Sequence, residues 1–80
     1  MPWLSIIWTE RAERKIAQHG VSPQEVVEVL EDPLHTTSSA SSGLPLAFGF
    51  TAAGRWLVVV YEPIDAATVS IVTAFEPAEP

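Results

Sequence analysis

Two periodicities run along this chain, and the position where one gives way to the other divides it. Ser5-Ile6-Ile7-Trp8 carries three consecutive large apolar residues and predicts a short strand. Thr9 follows as an N-cap, with Glu10 in the first turn, where the helix dipole favours negative charge. A helix is expected from Glu10 to His19, with Ala12 and Ile16 as its apolar seam and Gly20 ending it in the left-handed conformation. Ser22-Pro23-Gln24-Glu25 is a stronger start signal. It joins an N-cap serine, a proline at the first helical position and a glutamate three residues after the cap, the makings of a capping box. Val26, Val27, Val29 and Leu30 then form an apolar stripe, Glu25, Glu28, Glu31 and Asp32 face water, and Pro33 ends the helix.

From Leu34 the period shortens. His35 to Ala40, rich in Ser and Thr, reads as an edge strand, and Ser41-Ser42-Gly43 as a turn. Leu46 to Thr51 predicts a strand with Phe48 and Phe50 on one face, and Ala52-Ala53-Gly54 a hairpin loop. Trp56 to Tyr61 is apolar on both faces, the mark of a central strand. Glu62 to Ala67 reads as a connection. Thr68 to Phe75 alternates Val69, Ile71, Thr73 and Phe75 against Thr68, Ser70, Val72 and Ala74. The expected fold class is α+β: an N-terminal strand, two short helices, then a three- or four-stranded antiparallel sheet with the helices on one face. One domain spans residues 1–75, and 76–80 reads as a frayed polar tail.

Two short helices cover one face of such a sheet. The opposite face, carrying Phe48, Phe50, Trp56, Val58 and Val60, is left over: either the sheet curls strongly upon it, or a partner or a second copy covers it, which makes these five the expected interface. Trp3 and Trp8 read equally as core or as interface anchors.

Composition narrows the chemistry. Eighty residues make one small domain that hides only about 60–65 % of its unfolded surface. With no cysteine, disulfides and Cys₄ zinc sites are excluded, and two histidines without carboxylates at ligand spacing make a poor metal site, so no metal or cofactor is expected. Ten acidic residues against four basic ones give a net charge of −6, which disfavours a polyanionic partner such as nucleic acid. No apolar run approaches the ~20 residues of a membrane span, and Met1-Pro2-Trp3-Leu4 lacks the basic start of a signal peptide. A cytoplasmic location is the expectation.

Trp8-Thr9-Glu10 opening a helix, His19-Gly20-Val21-Ser22 leading into a second, then Asp32-Pro33, resembles the BrnT toxins of bacterial toxin–antitoxin systems, within the wider RelE/ParE-like group. Phe48-Gly49, Gly54-Arg55, Val58-Val59-Val60 and Ile71-Val72-Thr73-Ala74 extend the likeness over about residues 6 to 75. A group of small domains with a similar glycine-serine start to the second helix is nearly as similar. The resemblance implies a RelE-like fold, an antitoxin partner and metal-independent endoribonuclease activity. That chemistry needs cations to hold the scissile phosphate. Here Leu44, Ser70 and Phe75 stand where such toxins tend to carry arginine, and Glu76-Pro77-Ala78-Glu79-Pro80 replaces a basic C-terminal helix.

The cations left as catalytic candidates are Arg11, Arg14, Lys15 and Arg55, with His19 as acid or base. The plainer reading of the first three is a solvated helix face, with Glu10–Arg14 as an i, i+4 pair. His35 pairing with His19, and a Tyr61–Glu62 acid–base pair, are further candidates. The preferred expectation is a toxin-fold domain that works by binding protein (an antitoxin-like partner, itself, or both); the alternative is an active ribonuclease toxin.

Overall fold

A computed structural model describes residues 5–77. Ser5–Ile7 forms β1, Glu10–Gln18 α1, Pro23–Glu31 α2, His35–Ser38 β2, Pro45–Phe50 β3, Trp56–Asp65 β4 and Thr68–Phe75 β5. The five strands make one sheet in the order β1-β5-β4-β3-β2. Neighbours among β2 to β5 are antiparallel, but β1 runs parallel to β5, pairing Ser5 with Thr68 and Ile7 with Ser70. The sheet is therefore mixed and five-stranded: the antiparallel run has four strands, within the three or four expected, and β1 joins it in parallel. β1 and β5 are the first and last elements, so the whole chain between them makes the crossover that a parallel pair requires.

The helices start as their sequences dictate. The Thr9 hydroxyl accepts from the Ala12 amide at 3.1 Å. Around Ser22 the box closes both ways: the Glu25 amide donates to the Ser22 hydroxyl and the Ser22 amide to the Glu25 carboxylate. α1 stops one residue early, with His19 as its C-cap. Gly20 (φ 70°) then lets the amides of Gly20 and Val21 reach the carbonyls of Ala17 and Ile16, a Schellman ending.

α1 lies over β5, and α2 over β3 and β4. Between helices and sheet sit Ala12, Ile16, Val26, Val29 and Leu30 against Ala47, Leu57, Val59, Tyr61, Val69, Ile71 and Ala74. Fully burying a Val, Leu or Ile side chain contributes about 1.5–3 kcal/mol, so this layer is the main source of stability.

Three other expectations need correction. Glu62 to Asp65 is not a connection but the second half of β4, paired with β5 alone. Pro63 is tolerated there because β3 reaches no further than Val60, leaving that side of the strand without a ladder to break. The simple alternation along β5 fails as well. A register shift, with Val60 opposite Thr73 but Tyr61 opposite Ile71, inserts one residue. Val69, Ile71 and Ala74 consequently share the buried face, whereas Thr73 and Phe75 line up with Val60 and Val58. β2 is also shorter than expected and ends at Ser38, and β3 starts at Pro45 and ends at Phe50. Trp3 and residues 78–80 of the expected tail lie outside the described residues.

Candidate functional site

The strand register builds a second apolar surface opposite the helices. Cross-strand partners share a face, so His35, Phe48, Val58 and Phe75 form one row, and Thr37, Leu46, Val60 and Thr73 the next. Phe50 and Trp56 form the row at the hairpin end. Neighbouring rings touch in a continuous ladder: His35 to Phe48 at 5.9 Å, Phe48 to Trp56 at 5.9 Å and Trp56 to Phe50 at 4.8 Å between centroids. Of the five residues expected at an interface, Phe50 is 52 % and Trp56 37 % exposed, and Phe48 is half-buried. Val58 and Val60 are only 2 % and 8 % exposed. They form the floor of this face, flanked by Phe48, Phe75, Leu46 and Thr73, and are not themselves open for contact. No carboxylate enters these three rows; Glu62, one row further, is the first.

The charged candidates do not converge. Arg14 pairs with Glu10 at 2.9 Å on the solvent side of α1. Arg55, at the start of β4, spends its guanidinium on the covered side of the molecule. One nitrogen donates to the Gly20 carbonyl at 2.7 Å and to both Glu25 oxygens at 3.1 and 3.2 Å; the other donates to Glu76 at 3.2 Å. This knot ties the α1–α2 turn, the β3–β4 hairpin and the end of β5 together. Glu25 is therefore half-buried, not turned to water as its helical position suggested. The Ser22 amide holds its carboxyl below the ordinary value, Arg55 adds to that, and burial opposes both. With two carboxylates on it, Arg55 has little left to offer a phosphate.

His19 and His35 are far apart. His19 packs on Phe75 at 5.7 Å, beyond β5, and His35 belongs to β2 at the opposite side of the sheet. Three strand spacings, about 14 Å, separate β2 from β5, so the two imidazoles cannot act as a pair. Tyr61 and Glu62 fail as a pair for a different reason: consecutive strand residues point to opposite faces. Tyr61 is 8 % exposed in the core, where burial raises its pKa, and Glu62 is in solvent. Among the described residues no group of three or more His, Cys, Asp or Glu could hold a metal.

Arg11 and Lys15 remain. One turn apart on α1, they border a cleft of about 270 Å³ shared with Thr9, Ala12, Ile71 and Val72. Neither forms an ion pair among the described residues. Sequence reading grouped them with Arg14; the structure separates them from it, because only Arg11 and Lys15 overlook β5. The Arg55 knot escaped the sequence altogether, since its carboxylate partners lie 30 and 21 residues away.

Comparison with family models, with curated proteins and with solved structures finds no match for this chain. No helix among the described residues is long and apolar enough to cross a membrane.

Proposed function

We propose that this chain is a toxin-fold protein of the BrnT kind, within the RelE/ParE-like group, that works in the bacterial cytoplasm by binding protein. Its open sheet face meets an antitoxin-like partner, a second copy, or both. The single observation that carries the reading is the ring ladder of Phe48, Trp56 and Phe50, with Trp56 and Phe50 exposed, beside a valine floor and free of carboxylates in a chain of net charge −6. Aromatic anchors in a neutral patch are what protein interfaces concentrate at their centres. The motifs of the first helix and turn, and the order of one strand, two helices and an antiparallel run, support the family reading.

Light scattering on the purified chain, alone and co-expressed with the product of the adjacent gene, tests it. A mass above the 8.7 kDa monomer in either setting, lost in Phe50→Lys/Trp56→Lys, is the expected result. A strict monomer in both settings would sink the reading.

A ribonuclease reading is favoured by one observation, the shared helix face of Arg11, Lys15 and His19. Expression should then arrest growth, and Lys15→Ala or His19→Ala should relieve the arrest. Against it stands the commitment of Arg55 to Glu25 and Glu76.

A further inference from the structure

The cleft beside α1 coincides with an unfinished edge of the sheet. β1 covers β5 only from Thr68 to Ser70. From Ile71 to Phe75 the side of β5 away from β4 has no strand on it among the described residues, and strand edges left this way are templates for another chain. α1 runs alongside this stretch. Arg11 and Lys15 stand over Ile71 and Val72, and His19, one more turn along, stands against Phe75. The three form an i, i+4, i+8 line on one helix face.

We propose that this edge takes an extended acidic segment of a partner protein, which adds to β5 as a further strand and sets its carboxylates against Arg11 and Lys15. Spacing and charge agree. Four helical residues advance about 6.0 Å, and two strand residues about 6.6–6.8 Å. A segment with a carboxylate at every second position therefore matches the two cations, while its intervening side chains turn towards the opposite face. Two cations without an ion pair among the described residues, flanking one cleft in a protein with ten acidic residues, give that cleft a local field opposite to the global one. A polyphosphate backbone suits it less, because it cannot complete a β-ladder and meets the net negative charge along its whole length. A second copy suits it less as well. The chain's other edge strands, Ser5–Ile7 and His35–Ser38, contain no carboxylate.

Fluorescence anisotropy with a labelled seven-residue peptide, glutamate at every second position and valine or threonine between, tests the proposal. Binding should weaken about ten-fold or more in Arg11→Glu/Lys15→Glu, whose fold is checked by circular dichroism. It should weaken likewise when the same residues are reordered with the glutamates contiguous. N-methylation of alternate backbone amides should abolish binding in one phase and spare it in the other. Insensitivity to N-methylation, equal binding of the reordered peptide, or tighter binding of an RNA oligonucleotide at Arg11 and Lys15 would each overturn the assignment. So would no binding by any peptide, which would mean that the bulge and Lys15 only guard the edge. The groove is separate from the ring ladder. Phe50→Lys/Trp56→Lys should bind the peptide normally, so failure here and failure of the open-face reading are told apart.

Discussion

On the helix side of the sheet the inward residues are Ala47, Leu57, Val59, Tyr61, Val69, Ile71 and Ala74, and on the other side they include Phe48, Phe50, Trp56 and Phe75. Apart from Tyr61 the first set is aliphatic, small enough for helices to approach, and almost wholly buried. The second set is aromatic, and two of its members remain open to water. Charge divides the same way. Glu10, Glu13, Glu25, Glu28, Glu31 and Asp32, six of the ten acids, belong to the helical layer, and the three central rows of the other face hold none. A sheet finished on both sides would show aliphatic packing twice. The contrast teaches that stability is concentrated on one face and that the other keeps apolar surface in reserve.

Paired substitutions test that division most directly. Leu57→Ala removes a side chain with no exposure from the covered face and should cost about 2–5 kcal/mol in urea unfolding. Trp56→Ser, its neighbour in sequence on the opposite face, loses ring contacts with Phe48 and Phe50 and should cost about 1–2 kcal/mol, less than Leu57→Ala, while abolishing any association seen by light scattering. Comparable losses from both would erase the distinction between the faces.

Arg55 fastens the covered layer at its hairpin end, so Arg55→Ala should come next, lowering the melting temperature by a few degrees near neutral pH. Arg55→Lys should recover only part of it, because a single ammonium cannot span Gly20, Glu25 and Glu76 as the planar fork does. The acid limb carries a sign. Glu25 has its pKa depressed in the folded chain, so the unfolded chain binds that proton first as pH falls. Its contribution is present above the ordinary value of 4.5 and is lost as pH drops through the depressed one. The gap between wild type and Arg55→Ala should therefore narrow on acidification; a gap that held constant would show that Glu25 is not the partner that matters.

Local signals in the sequence translated well into structure. The Ser22 box, the Ala12–Ile16 seam and the Gly20 stop depend on residues within a turn of one another, and each is present as read. The leftover apolar face was legible too, since two nine-residue helices cannot cover both sides of a sheet. What escaped was non-local. Nothing in Ser5-Ile6-Ile7 says that it pairs in parallel with Thr68 to Ser70. Glu62 and Pro63 imitate a loop because half of β4 works as an edge. One inserted residue at Ile71–Thr73 swaps the faces of everything after it. The cleft beside Lys15 follows from both of these, being the place where β1 stops and the bulge begins.

Smaller substitutions sharpen the comparison further. Gly49 sits on the covered face of β3, where an added Cβ would come within 3.3 Å of Val29 Cγ1 and 3.5 Å of the Asp32 carbonyl oxygen. Gly49→Ala should therefore cost about 1 kcal/mol by pushing α2 outward. The smallest effect has the opposite sign. Thr73 occupies the Val60 row of the open face, and its hydroxyl is buried with no hydrogen-bond partner among the described residues. An unpaired buried hydroxyl carries a desolvation cost, and valine keeps the shape without it. Thr73→Val should raise stability by about 1 kcal/mol, read in the same urea titration. A rise would show that the open face, too, is limited by burial within the free chain. A fall would show that this hydroxyl has an acceptor and that the face is more finished than its aromatic surface suggests.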